Sequence, residues 1–328
     1  LSQGIWLKKL SDILKGVNNM KDQTFGVEIE MNHITREKAA QLIADYFGTT
    51  HYYKGGGVYR IWACKDTQGR EWQFERDASI YGPEDEKCEM VTPILHYEDI
   101  ETLQEIIRIL RHNGAISNPK NDCGVHIHVG ADGQTPQTIR NLVNIMASHE
   151  NLLINALKLD TFRLGRWCKT VDPTFLKEIN SKKPKTMQEL ADIWYNTQAP
   201  FEPRDHHYND SRYHMLNLHA TFTKGTIEFR LFQFNNPGHH FKGGLHAGML
   251  KSYIQLCLAL CDRAKRIKYA SYKPMQMANQ KFAMRTWLVQ KLGFVGDEFK
   301  TARDILTRNL VGNAALRYGA NGEYREVA

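Results

Sequence analysis

At 328 residues and 42% apolar content, the chain is long enough for one large domain or for a domain carrying a helical extension. Its longest apolar run near the C-terminus, around 256–260, falls far short of the roughly 20 residues of a membrane span, and the polar, basic opening lacks the apolar core of a secretory signal. The net charge of +7 is uneven, with 14 Lys and Arg against 6 Asp and Glu from Lys251 onward. With no aromatic–basic RNA motif, helix-turn-helix cue or zinc finger beside it, that charge reads as a solvated helical face near an anionic substrate rather than as a nucleic-acid surface.

Six cysteines, at 64, 88, 123, 168, 257 and 261, form no C-x-x-C pair. That argues against a zinc ribbon or a disulfide framework and for reduced thiols in a cytoplasmic protein.

Taken in chain order, the first element is a strand over 25–31, FGVEIEM, with apolar and acidic residues alternating. A helix over 35–47 follows, with Thr35 as N-cap and Ala39, Leu42, Ile43 and Tyr46 at helical spacing. Glycines 55–57 predict a turn before a strand over 58–63. A strand over 87–91 leads to an amphipathic helix over 99–112, stopped by Gly114. The alternating strand 124–129 precedes Thr135-Pro136, an N-cap with proline at the first helical position, opening a helix to about 157. Thr186 and Glu189 predict a capping box for a helix through Tyr195. Residues 200–213 are rich in turn formers without helical period, a lid or a plain surface connection. Alternating strands over 215–219 and 226–231 come next, then a long, largely buried helix over 242–264 and two more near 279–292 and 297–310. The pattern predicts an α+β fold: a curved, mostly antiparallel sheet with helices on its apolar face and an open cleft on its polar face.

That polar face is unusual. A strand sends alternate side chains to opposite sides, so Glu28, Glu30, Glu89, His126, His128, Asn217, Glu228 and Arg230 share it. Glu28 and Glu30, about 7 Å apart along one strand, leave room for one shared ion or two neighbours. His126 and His128 suit a metal or a phosphate contact. Glu228 is a hard ligand beside Arg230, a bidentate partner for phosphate. The carboxylate-rich set favours Mg²⁺ or Mn²⁺, in two or more copies, over a single zinc. No phosphate-binding loop or dinucleotide fingerprint is present, so a nucleotide would have to sit on this sheet face and its loops. Cys123, just before the His pair, reads as a turn cysteine rather than a nucleophile.

Six pieces, in chain order, carry a resemblance: FGVEIE at 25–30, RDASI at 76–80, CEMVTP at 88–93, CGVHIHV at 123–129, SRYHMLNL at 211–218 and GTIEFRLF at 225–232. Together they resemble the amidoligase family of the carboxylate–amine ligase superfamily, with glutamate–cysteine ligase and glutamine synthetase as distant relatives. The resemblance covers roughly 21–263, leaving 1–20 as an N-terminal extension and 264–328 as a basic helical extension packed on the same domain. It implies a glutamine-synthetase-like sheet and an ATP-dependent enzyme that phosphorylates a carboxylate, then lets an amine displace the acyl phosphate. By that likeness Glu28, Glu30, Glu89, Glu228 and His126 would hold divalent ions, and His126, His128 and Arg230 would contact the nucleotide. Arg230 and Arg212 would stabilise the transferring phosphoryl group, Asn217 would orient substrate or phosphate, and Asp77 is a candidate base for the amine. The implied partners are a substrate with a carboxylate and an amine co-substrate, with no membrane or nucleic acid. Two other readings stay open: a metal-dependent hydrolase built on His126, His128 and a Glu, and a non-catalytic binding protein.

Overall fold

The structure is a computed structural model and describes residues 19–234, 244–275 and 278–315. One sheet of eight strands forms its centre, in the order β2-β3-β4-β5-β1-β6-β8-β7, with every neighbouring pair antiparallel. The strands are β1 (Phe25–Met31), β2 (His51–Gly55), β3 (Ile61–Lys65), β4 (Glu71–Glu75), β5 (Cys88–Val91), β6 (Val125–Gly130), β7 (Leu216–Asn217) and β8 (Thr226–Phe232). Among the described residues the α-helices are α1 (Arg36–Phe47), α2 (Ile100–His112), α3 (Pro136–Leu157), α4 (Thr161–Arg166), α5 (Pro173–Lys182), α6 (Met187–Gln198), α7 (His219–Thr223), α8 (Ala247–Arg266), α9 (Gln280–Gln290) and α10 (Lys300–Thr307).

The alternation in the central strands decides which face is covered. Phe25, Val27, Ile29 and Met31 of β1, Met90 of β5, and Val125, Ile127 and Val129 of β6 are all buried in one apolar core. Helices α1, α2 and α8 pack against that core, with α3 laid against α8 and α10 against both α8 and α3. The Thr35 side chain caps α1 by accepting from Lys38 N, and Gly48, in the left-handed region at φ 69°, ends it. Thr135 caps α3, with Pro136 opening the helix. Since the helices cover the apolar face, the carboxylates and imidazoles are left to line the other.

Several expectations need correcting. Val58 lies in a 3₁₀ turn and β3 starts only at Ile61, because Gly55, Gly56 and Gly57 all take positive φ and turn the chain back. The 215–219 strand shrinks to two residues. Asn217 Oδ1 accepts from His219 N at 2.8 Å, a local side-chain bond that turns the chain into α7. Thr186 caps α6 as expected, but the Glu189 carboxylate returns to Lys185 N rather than to Thr186, so the capping box is not reciprocal. Strands β2 and β4 and helices α4 and α5 are additions, the last two opened by Asp160 and Asp172 as N-caps. The basic C-terminal helices lie with α8 on the covered face, and no residue after Lys251 lines the polar cleft among the described residues, so their charge is not beside that site. The long helix starts at Ala247, where the His246 side chain caps it, and not at 242. Of the expected extension at 1–20 all but the last two residues, and the tail from 316, lie outside the described residues.

Candidate active site

Strand register aligns the polar residues in three rows. Glu75 pairs with Glu89, and Glu89 with Glu30, across β4, β5 and β1. Glu28 pairs with His126 across β1 and β6, and His128 with Glu228, itself paired with Asn217 on β7. Between β6 and β8 the register shifts: Val125 faces Phe232 but Ile127 faces Phe229, so β8 carries one extra residue within the stretch holding Arg230 and Leu231. Such a bulge re-aims side chains, and here it falls beside the site.

The distances make one interlocked cluster. His126 Nδ1 lies 3.2 Å from Glu28 Oε2, and its Nε2 lies 3.7 Å from Glu30 Oε1. His128 Nε2 is 3.2 Å from Glu28 Oε1 and 3.9 Å from Glu228 Oε1, while its Nδ1 meets Thr226 Oγ1 at 2.9 Å. Glu228 is held from two sides, by Arg230 Nη1 and by Asn217 Nδ2, each donating at 2.6 Å. Three overlapping trios bring ligand atoms within 4.8 Å of one another: Glu28, His128 and Glu228; Glu28, Glu89 and His126; and Glu30, Asp77 and Glu89. His128 Nε2, although close to Glu28, makes no hydrogen bond and is shut off from water. A buried imidazole nitrogen without a bond, facing carboxylates, has the chemistry of a metal ligand.

Burial and neighbouring charge push these carboxyls apart. Burial raises Glu89, and the carboxylates of Glu28, Asp77, Glu30 and Glu75 raise it further, well above the ordinary range. Burial likewise raises Glu30 and Glu75. For Glu28, burial is outweighed by His128, His126 and Lys224, which hold it well below the usual value. For Glu228, burial is outweighed chiefly by Arg230, bringing it to about 2. Carboxyls that share a site and split this way call for bound cations or for protons in their place.

The cluster lines a cleft of about 510 Å³. Arg163, Arg166 and Trp167 of α4 and its exit supply one wall, and His207, Tyr208, Arg212 and Tyr213 come from the loop before β7. Tyr59, from the turn after the glycines, bonds hydroxyl to hydroxyl with Tyr208 at 2.8 Å across the cleft mouth. A larger apolar cavity, about 920 Å³, sits near His149 and Trp287, which stack at 4.1 Å, but no candidate metal trio falls there among the described residues.

Of the residues named from the sequence, Glu28, Glu30, Glu89, His126, Asp77, Arg212 and Arg230 line this cleft. His128 stands next to it through Glu28 and Glu228. Asn217 sits behind Glu228, with both ends of its amide engaged, and faces a smaller neighbouring cavity of about 200 Å³ with His219 and Lys224. Cys123 is buried, with its thiol pushed up by burial and by Glu30, the state of an inert turn cysteine. Sequence reasoning missed Glu75, Arg163, Trp167, Tyr59, Tyr208, Tyr213 and Lys224. The Trp72/Phe74 alternation in EWQFE would have found Glu75.

Among solved structures, the chain is similar to a bifunctional glutathione synthetase from Pasteurella multocida, at 14% identity and a TM-score of 0.43, over 92% of this chain and 48% of that one. The chain thus spans about half the length of that protein. No curated protein matches it. The described residues contain no helix long and apolar enough to cross a membrane. The family described as "Putative amidoligase enzyme" matches residues 21–261, and the chain belongs to that enzyme family.

Proposed function

We propose that this protein is an ATP-dependent carboxylate–amine ligase that forms an amide or peptide bond through an acyl phosphate, releasing ADP and phosphate. The observation that carries the reading is the joining of three overlapping carboxylate-rich trios to a buried Glu228–Arg230 pair in one cluster along the cleft floor and its smaller neighbour. Glu28, Glu30, Glu89, Glu228, His126 and His128 have the donor chemistry for two or more Mg²⁺ or Mn²⁺ ions. Such ions, when bound, would neutralise nucleotide phosphates and polarise the transferring phosphoryl oxygens.

The chain's own groups divide the remaining work. Arg230, fixed by Glu228, presents a guanidinium to charge developing on the transferring group. Arg212, stacked over Tyr208 and Tyr213 on the loop before β7, adds a second cation at the mouth. Asn217 acts through Glu228, holding that carboxylate in register, so we assign it a positioning role. Asp77 accepts from Ser79 N at 2.6 Å, which fixes its carboxylate toward the cleft, where it is placed to take a proton from an incoming amine. The Tyr59–Tyr208 contact narrows the mouth and would limit water reaching an acyl phosphate.

The two imidazoles beside Glu28 favour one alternative, a metal-dependent hydrolase. Elemental analysis and product assays separate the two. The ligase reading expects Mg²⁺ with a non-hydrolysable ATP analogue to raise the melting temperature and expects no turnover of esters or amides without nucleotide. Tightly held Zn, Fe or Mn together with nucleotide-independent hydrolysis would replace it with the hydrolase.

A further inference from the structure

Arg163 is only 1% exposed, yet its guanidinium is poorly paired. Its Nη2 donates a long bond of 3.4 Å to the Arg230 carbonyl oxygen. Its Nη1 comes to 4.0 Å from Glu30 Oε2, too far for a hydrogen bond, and its Nε has no partner. A buried ion with one weak acceptor is costly, because leaving water must be offset by a counter-charge or by several good hydrogen bonds. Glu30 does not fill that need: its Oε2 already accepts from Gly124 N at 2.5 Å, and the same carboxylate belongs to the trio with Asp77 and Glu89.

Arg230 repeats the pattern. Its Nη1 is bonded to Glu228, but its Nε has no partner. A third buried donor without a partner is Trp167 Nε1, with the Arg166 guanidinium stacked 4.4 Å from its ring. These four residues line the same cleft, and each unpartnered buried atom on this wall is an N–H donor. The placement of Arg163 is built into the fold. A Cβ at Gly124 would lie 2.2 Å from Arg163 Nη2, so β6 has room for the guanidinium only because that residue is glycine. The Asp160 carboxylate caps α4 by accepting from Phe162 N and Arg163 N, and Trp167 N and Cys168 N return to the Arg163 carbonyl.

We infer that Arg163 and Arg230, with Trp167 and Arg166, form an oxyanion subsite that takes the carboxylate of the acid substrate or the phosphoryl group placed on it. The inference rests on the ligase reading for the identity of the anion, but not for the existence of the site. Two guanidinium groups and an indole N–H around a group with two or three terminal oxygens would supply the hydrogen bonds that these donors do not find within the protein. The position beside Glu30 sets that anion at the edge of the carboxylate trio shared by Asp77 and Glu89.

The test uses the full chain without nucleotide, with inorganic phosphate and acetate as separate probes, read by calorimetry and by melting temperature. Wild type should bind at least one anion. Arg163→Met should abolish that binding, and Arg163→Lys, which keeps the charge but loses the planar fork, should weaken it about tenfold. Exposed Lys182→Ala should leave it unchanged. Binding of phosphate but not acetate assigns the site to the phosphoryl group, and the reverse assigns it to the substrate carboxylate. The inference is overturned if wild type binds neither anion, or if Arg163→Lys binds as wild type does, whether or not Arg163→Met folds. A protein that binds phosphate through Arg163 but releases no ADP with any substrate pool would keep the subsite and remove the ligase reading. ADP release undiminished in Arg163→Met would remove the subsite alone.

Discussion

Asn217 engages both ends of its amide inside the protein, giving Nδ2 to Glu228 and taking His219 N on Oδ1. Asn217→Ala therefore loosens a carboxylate and leaves a buried N–H unbonded, at a cost of about 1–3 kcal/mol in stability. If it positions Glu228 rather than touching substrate, the variant should lose kcat for ADP release while its KM for ATP changes less. Equal loss of both would contradict that role. Glu89 behaves differently. Burial and four neighbouring carboxylates raise it above its ordinary 4.5, so its contribution to stability is present below that value and is lost as pH rises through the raised one. Glu28 and Glu228, held down, act in the opposite sense, their contribution present above 4.5 and lost as pH falls through their lowered values, which for Glu228 is about 2. Urea unfolding of metal-free protein should thus show stability falling from mildly acid to neutral pH. Glu89→Gln should flatten that fall and reduce the stabilisation by Mg²⁺. An unchanged pH profile in the variant would show that Glu89 does not carry the strain.

At the scale of elements, the link between β6 and α4 is the most exacting contact in the site. Gly124→Ala drives a methyl group into the Arg163 guanidinium, the end of a flexible chain on the cleft wall, which can move aside only by giving up its bond to the Arg230 carbonyl and its place beside Glu30. The expected loss is about 1–3 kcal/mol, measured by urea unfolding; a neutral result would mean that Arg163 is free to swing aside. Such contacts also mark what the sequence could and could not reveal. Strands β1, β5, β6 and β8 are legible because each buries one face completely, so period two is written in FGVEIE and GVHIHV. β2, HYYKG, is half exposed at the sheet edge and carries no such signal. Arg163 looks like any basic residue of a short helix, since what distinguishes it is a glycine 39 positions away in the chain. The 215–219 alternation misleads because Asn217 uses its side chain to turn the backbone, a choice invisible to periodicity.

Across the whole molecule, helices on one face leave the other open, and a cluster of carboxylates meets there with the imidazoles of His126 and His128 and an arginine-rich wall. Within the cluster the carboxylates repel one another, as the raised Glu89 shows, until bound cations balance them. Mg²⁺ with a non-hydrolysable ATP analogue should therefore stabilise the protein, by about 2.7 kcal/mol at a hundredfold excess over Kd. No shift in melting temperature would mean that the nucleotide does not bind, against the ligase account. The central claim is tested most directly by product analysis of Mg-ATP with pooled amino acids and small amines, for wild type and Glu228→Ala. The ligase account predicts ADP and phosphate, released only when the pool is present and lost in the variant. Release of AMP and pyrophosphate, or ADP formation that survives Glu228→Ala, would contradict it.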